Sequence, residues 1–183
     1  MEITLGIELE KLRAIVDPVH EKLGRYRVKF ILSPELIMEA ESKYPICPLN
    51  WKHIKYDDDS ATTQIPNDKR GIYAFVVMHD NAVLPSHGYV MYIGIAGRKK
   101  FRSLQARYKD YLQQSNVRKR RHIARMIVDW YDVLQFFFAP IEIGNGVTIK
   151  NLKDMEKKLN SALLPPFSRR DMYANLRAMR DAF

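Results

Sequence analysis

Five polar residues of this 183-residue chain have types and spacings suited to chemistry at a phosphate group. Tyr73 is the last residue of the tripeptide Gly71-Ile72-Tyr73, and Tyr92 is the first residue of the tripeptide Tyr92-Ile93-Gly94. Arg107 and Tyr111 are four residues apart, a spacing that places both on one face of a helix. Glu156 lies in a later segment with helical spacing. A carboxylate can anchor a divalent cation and a guanidinium can bind phosphate oxygens, so these are residue types that could act on a phosphate group.

The elements that must position these residues follow from the hydrophobic pattern. The two tripeptides fall on predicted strands over 72–78 and 89–95, which an irregular loop joins into an antiparallel hairpin. The other predicted elements are helices over 101–114, 118–130 and 151–164 and a third strand over 133–139. This order predicts an α+β fold, in which a small central antiparallel sheet of about three strands is flanked by helices.

The remaining segments are predicted to surround that sheet. Residues 1–68 form an N-terminal extension, residues 69–168 form the domain that carries the five polar residues, and residues 169–183 form a helical tail packed on it. Within the extension we expect helices over 8–23 and 34–43 and a strand over 26–32, followed by connecting chain over 44–68.

Positive charge is concentrated in one window of the sequence. Of the chain's 30 lysines and arginines, eleven lie between Arg98 and Arg125, with Asp110 as the one acid among them. The remaining 19 basic residues are balanced by 20 acidic residues, so this basic segment carries the whole excess of the net charge of +9. A focused patch of this kind attracts polyanions, and nucleic acid is the partner that it favours over a merely solvated helix face.

The paired tripeptides, followed by an arginine and an aromatic residue one helical turn later, resemble the signature of the GIY-YIG nuclease superfamily. The resemblance covers roughly residues 69–168 and continues in Glu156 and in Pro165-Pro166-Phe167-Ser168. The family carries asparagine where this chain has Ser168. Stand-alone restriction-type or mobile-element nucleases are the family members that a chain of this length resembles.

The resemblance implies roles for individual residues. The catalytic set would be Tyr73, Tyr92, Arg107, Tyr111 and Glu156, with Tyr73 activating the attacking water and Glu156 binding one Mg²⁺ or Mn²⁺ ion per active site. Gly71, Gly94 and Ser168 would have structural roles. An unperturbed phenol has a pKa of roughly 10, so Tyr73 needs nearby positive charge to act as a base.

We predict that double-stranded DNA binds along the basic segment. The residues expected to contact it are Arg98, Lys99, Lys100, Arg102, Arg118, Lys119, Arg120, Arg121 and His122. His122 is alternatively a surface histidine without a role in catalysis. A homodimer that cuts both strands is a further expectation.

Alternative interpretations remain at this level. The tyrosines could be ordinary cross-strand aromatics, which strands favour. The chain could be a nucleic-acid-binding module with weak or no activity, or a nuclease directed to RNA or to a particular DNA structure. The lone Cys47 and the absence of a long apolar run favour a cytoplasmic protein that does not enter a membrane.

Overall fold

A computed structural model describes residue 24 and residues 26–43, 49–58, 60–78, 87–98, 101–144, 147–168 and 172–182. The helix predicted over 8–23 lies outside the described residues, as do Lys99 and Lys100.

A four-stranded antiparallel sheet forms the centre of the fold, with strand order β1-β4-β2-β3. Its strands are β1 (Lys52–Lys55), β2 (Arg70–Met78), β3 (Gly88–Ala96) and β4 (Leu134–Ile141). The predicted hairpin is confirmed as the β2–β3 pair, and the third predicted strand is β4. The fold is therefore of the predicted α+β class, with four strands instead of about three.

The additional strand, β1, comes from a segment that we expected to be connecting chain. Its sequence Lys-His-Ile-Lys has one buried residue, Ile54, which is too little to give an alternating pattern. The strand forms because it pairs with the Phe-rich β4, where Ile54 lies opposite Phe136. The predicted N-terminal extension thus contributes an edge strand to the sheet.

The strand predicted over 26–32 is wrong, because residues 27–33 have no regular structure. The alternation of apolar side chains in this segment has a different explanation. Val28 and Phe30 pack against the hydrophobic core, and the Phe30 ring lies 5.4 Å from that of Tyr89 between centres. The alternation reflects this packing and not a hydrogen-bonded ladder.

Helices pack on both faces of the sheet. They are α1 (Pro34–Lys43), α2 (Leu104–Leu112), α3 (Gln114–Arg118), α4 (Arg121–Trp130), α5 (Ile149–Leu163) and α6 (Ala174–Ala182). Single turns of 3-10 helix occur at Thr62–Gln64 and Tyr131–Val133. The predicted start of the helix over 118–130 is wrong. Arg118 is the last residue of α3, and α4 begins at Arg121.

The pleat of β2 divides the core into two clusters. Tyr73 and Phe75 face a cluster that includes α2 and α4 side chains, whereas Ile72 and Ala74 face a cluster that includes α5 side chains. Tyr73 is therefore presented to α2, and α5 covers the opposite face. None of the helices in the described part of the chain has the length and apolarity needed to cross a bilayer.

Candidate active site

The two tripeptides meet because β2 and β3 pair in a register that sets Tyr73 opposite Gly94. A Cβ atom on Gly94 would lie 2.4 Å from the Tyr73 hydroxyl, which is closer than real contacts allow. Glycine at this position therefore leaves room for the Tyr73 side chain. Gly71 has a similar role, because a Cβ there would lie 2.2 Å from the Ala139 carbonyl oxygen of β4.

The hydroxyl of Tyr73 is held between two side chains of α2. It accepts a hydrogen bond of 3.0 Å from Nε of Arg107 and shares one of 2.7 Å with the Tyr111 hydroxyl. Ser103 begins α2 by accepting the backbone N–H of Ala106, which fixes the start of the helix that presents both side chains. Because they are four residues apart on α2, Arg107 and Tyr111 both form hydrogen bonds with the hydroxyl of Tyr73.

Arg120 belongs to the same cluster, which differs from the expectation that it contacts DNA from the surface. Its guanidinium lies over the Tyr111 ring, 4.6 Å from the ring centre, and Nη1 donates to the Tyr111 hydroxyl at 3.2 Å. Its backbone, at φ −127° and ψ 76°, is not helical, and this break between α3 and α4 turns the side chain inward. We call Tyr73, Tyr92, Arg107, Tyr111 and Arg120 the tyrosine–arginine cluster.

Tyr92 is the member of the cluster whose pKa depends on Glu156 as well as on Arg107. Burial raises its pKa, and the charge of Tyr111 raises it further, whereas Arg107 lowers it and Glu156 raises it. The ring centres of Tyr92 and Tyr73 are 6.2 Å apart. Tyr92 therefore experiences the charges of both Arg107 and Glu156, which links the α2 side of the site to α5.

Protonation of Tyr73 reflects opposing effects. Burial raises the pKa of its phenol well above the usual range, and the neighbouring Tyr111 and Tyr92 raise it further. The positive charge of Arg107 lowers it. Tyr73 is consequently protonated at neutral pH in the chain without substrate, and any added positive charge nearby would favour the phenolate.

Glu156 is buried in α5, with 3% of its surface exposed, although a glutamate at the border of an apolar stripe is more often solvated. Its Oε2 accepts a hydrogen bond of 2.5 Å from Nη2 of Arg98, just beyond β3. In the chain without DNA the guanidinium of Arg98 is thus bound to the carboxylate, and its contact with DNA stays a prediction.

The described residues contain no group of three His, Cys, Asp or Glu side chains that could enclose a metal ion. Glu156 suits a different kind of site, since Mg²⁺ commonly uses one protein carboxylate together with water and phosphate oxygens. Its negative charge is already compensated by a cation, Arg98. The residues present therefore fit one divalent ion at Glu156, provided that Arg98 leaves Oε2.

The other predicted DNA contacts differ in their surroundings. Arg118, Lys119 and Arg121 are exposed, and we call them the basic ridge. Arg102 is exposed as well, but it forms an ion pair with Asp110, a buried acid that also accepts from Arg107 at 3.4 Å. His122 is half-buried.

Asp110 is the site residue that our sequence interpretation missed. It is 7% exposed and lies beside Arg107, on the helix that carries the cluster. Its isolation as the single acid within the basic segment was the available signal, because a buried carboxylate needs positive partners.

Ser168 takes a structural position between the α5 end and β3. The left-handed conformation of Leu164 (φ 42°) ends α5, and Phe167 N–H then donates to the Met91 carbonyl at 2.9 Å. The Ser168 hydroxyl accepts the Ile93 N–H at 3.0 Å and is 2% exposed. The shorter side chain thus bonds directly to the backbone of the strand that carries Tyr92.

Replacing Ser168 by alanine should destabilise the protein by roughly 1–3 kcal/mol, because the buried Ile93 N–H loses its side-chain acceptor. Urea denaturation followed by circular dichroism would measure this loss. Ser115→Ala, at an exposed position of α3, should change stability by less than about 0.5 kcal/mol. Equal stabilities of Ser168→Ala and the parent would contradict the structural role of this hydrogen bond.

Comparisons with protein-family models, curated proteins and solved structures find no match to this chain.

Proposed function

We propose that this chain is a metal-dependent endonuclease that hydrolyses DNA through a GIY-YIG type active site. One observation carries the proposal: the Tyr73 hydroxyl, beside Gly94, is bound by Arg107 and Tyr111 from the following helix. Any buried tyrosine hydroxyl needs a polar partner, but a guanidinium and a second phenol on the same oxygen also suit acid–base chemistry. The four residues are the ones that the resemblance names.

The reaction needs a proton acceptor and compensation of charge. A water oxygen attacks phosphorus while Tyr73, as the phenolate, takes its proton. One bridging P–O bond breaks, and the leaving oxygen takes a proton from solvent. Arg107 can donate to the phosphate oxygens as their negative charge increases, and its planar fork suits that geometry. The proton that Tyr73 accepts is released to solvent after the products leave the site.

Glu156 would hold the divalent ion. A bound Mg²⁺ or Mn²⁺ would act as a Lewis acid on the phosphate and compensate charge at the leaving oxygen. Tyr92, whose pKa is influenced by both Arg107 and Glu156, would position the phosphate or the water.

A cleavage assay with supercoiled plasmid and the whole chain tests the activity. We expect cutting with Mg²⁺ or Mn²⁺ and none with EDTA. Linear product would support a dimer that cuts both strands, and nicked circles would support a monomer. If folded protein binds DNA without cutting plasmid, RNA or branched DNA, the nuclease proposal is wrong and the chain is a binding module. The ion pair of Arg98 with Glu156 is the observation that favours that second candidate.

Double-stranded DNA in the cytoplasm is the partner that we propose, and the basic ridge is its main contact. Binding should weaken steeply with salt, because each neutralised phosphate releases counterions. Changing Arg118, Lys119 and Arg121 to glutamine should lower the slope of log affinity against log salt concentration by about 0.9 for each phosphate that is no longer neutralised. Fluorescence anisotropy with a labelled duplex measures that slope.

A matched triple variant separates this effect from the loss of net charge. Lys52, Lys55 and Lys153 are exposed and lie outside the basic segment. Their change to glutamine removes the same charge and should leave the slope nearly unaltered. Equal slopes for the two triple variants would show that DNA does not bind along the basic ridge.

A further inference from the structure

Arg98 and Glu156 differ sharply in their exposure. The Arg98 side chain is 43% exposed, whereas that of Glu156 is 4% exposed, and their Nη2 and Oε2 atoms are 2.5 Å apart. Arg98 follows Gly97, whose positive φ of 91° is unfavourable for other residues. An arginine at the rim of the site thus reaches from solvent to a buried carboxylate and covers it.

This contact has a direct consequence for metal binding. A divalent ion at Glu156 and the guanidinium of Arg98 both require the carboxylate oxygens, and they repel each other at short distance. The two cations therefore compete for Glu156. In the chain without DNA, the metal must displace an intramolecular partner that is always present.

Binding of a DNA phosphate to Arg98 would end this competition. A guanidinium binds phosphate oxygens in a bidentate manner, and the exposed side of Arg98 is accessible to a DNA backbone approaching the basic segment. When Arg98 turns to a phosphate, it no longer competes with a divalent ion for Oε2 of Glu156. DNA binding thereby increases the affinity of Glu156 for a divalent ion.

We propose that Arg98 is a positioning residue that makes metal binding depend on bound DNA. The proposal rests on the proposed function and adds an order of assembly to it, in which the phosphate binds before the metal. Thermodynamic linkage then requires the converse, that metal increases DNA affinity by the same factor. The chain would hold little metal until a DNA phosphate is in place.

The test measures Mn²⁺ binding by isothermal titration calorimetry, without any cleavage. Arg98→Met should bind Mn²⁺ about tenfold more tightly than the parent when DNA is absent. Lys150→Met removes an exposed charge from the same helix, six residues before Glu156, and should change Mn²⁺ affinity by less than about twofold. Arg98→Lys keeps the charge but loses the planar fork, so its Mn²⁺ affinity should lie between those of the parent and Arg98→Met. This variant also tests the proposal if Arg98→Met folds poorly. Arg98→Met combined with Glu156→Gln should lose the gain.

A second titration measures the coupling to DNA. A short labelled phosphorothioate duplex, which resists cleavage, is titrated with and without Mn²⁺. For the parent we expect Mn²⁺ to increase duplex affinity about tenfold, and for Arg98→Met we expect a smaller increase of about twofold, which is the part that direct contact of the metal with phosphate supplies.

Two results would overturn the proposal, and they differ in what they say of the nuclease. If Arg98→Met and the parent bind Mn²⁺ equally, Arg98 does not control the metal, although Glu156 can still be its ligand. If neither protein binds Mn²⁺ with or without the duplex, both the coupling and the metal-dependent mechanism are wrong.

Discussion

Glu156→Gln should reduce the rate of DNA cleavage by at least about a thousandfold, since several kcal/mol of transition-state stabilisation depend on the metal. Glutamine keeps the size of the side chain but loses the negative charge that anchors the cation. DNA affinity should stay the same or increase, because the charge that holds Arg98 is removed. Single-turnover cleavage with Mg²⁺ and anisotropy without Mg²⁺ measure the two effects separately.

Asp154→Asn provides the matched control for this prediction. It removes one carboxylate from the same helix, where Asp154 is paired with Lys158 and its side chain is 47% exposed. Its cleavage rate should remain within about twofold of the parent. A fully active Glu156→Gln protein would refute the assignment of the metal ligand, and an equally inactive Asp154→Asn protein would indicate a general effect on the helix.

The part of the site closest to the sheet could be predicted because local geometry determines it. Residues on paired strands and residues four apart on a helix have fixed relative directions, whatever the rest of the fold. The structure accordingly joins Tyr73, Arg107 and Tyr111 by hydrogen bonds. Their catalytic roles stay predictions.

The partners of the basic residues could not be predicted, because they depend on tertiary contacts. In the sequence, Arg98, Arg102 and Arg120 are alike members of one basic segment. In the structure they donate hydrogen bonds to Glu156, Asp110 and Tyr111, respectively. Arg98 and Arg102 keep exposed side chains in spite of these partners, so exposure alone does not separate them from the basic ridge.

The errors in the fold have a similar origin. The four residues of β1 have no alternating pattern of their own, and their pairing with β4 determines their conformation. Conversely, Val28 and Phe30 alternate as in a strand but pack on the core without a partner strand. In both segments nonlocal packing outweighs local preference.

The tyrosine–arginine cluster gives the second large effect. Tyr73→Phe should lower cleavage by roughly a hundredfold to ten-thousandfold, the usual contribution of a proton acceptor. The cost in stability should be roughly 1–3 kcal/mol, because Arg107 Nε and the Tyr111 hydroxyl lose a shared buried partner. Tyr108→Phe is the matched control, since it also removes a buried hydroxyl, one that accepts from Asp57 N–H outside the cluster. It should lose stability and retain activity.

The pH dependence distinguishes a base from a structural hydroxyl. The pKa of Tyr73 is raised by burial, and the active form is the phenolate, so at pH values below this pKa its population increases tenfold for each pH unit. The single-turnover rate of the parent should therefore rise by about tenfold per unit between about pH 6 and about pH 8. In Tyr73→Phe the remaining slow cleavage should lack this rise, whereas Tyr108→Phe should retain it. An unchanged slope in Tyr73→Phe would mean that another group accepts the proton, and that Tyr73 instead positions Arg107 and Tyr111.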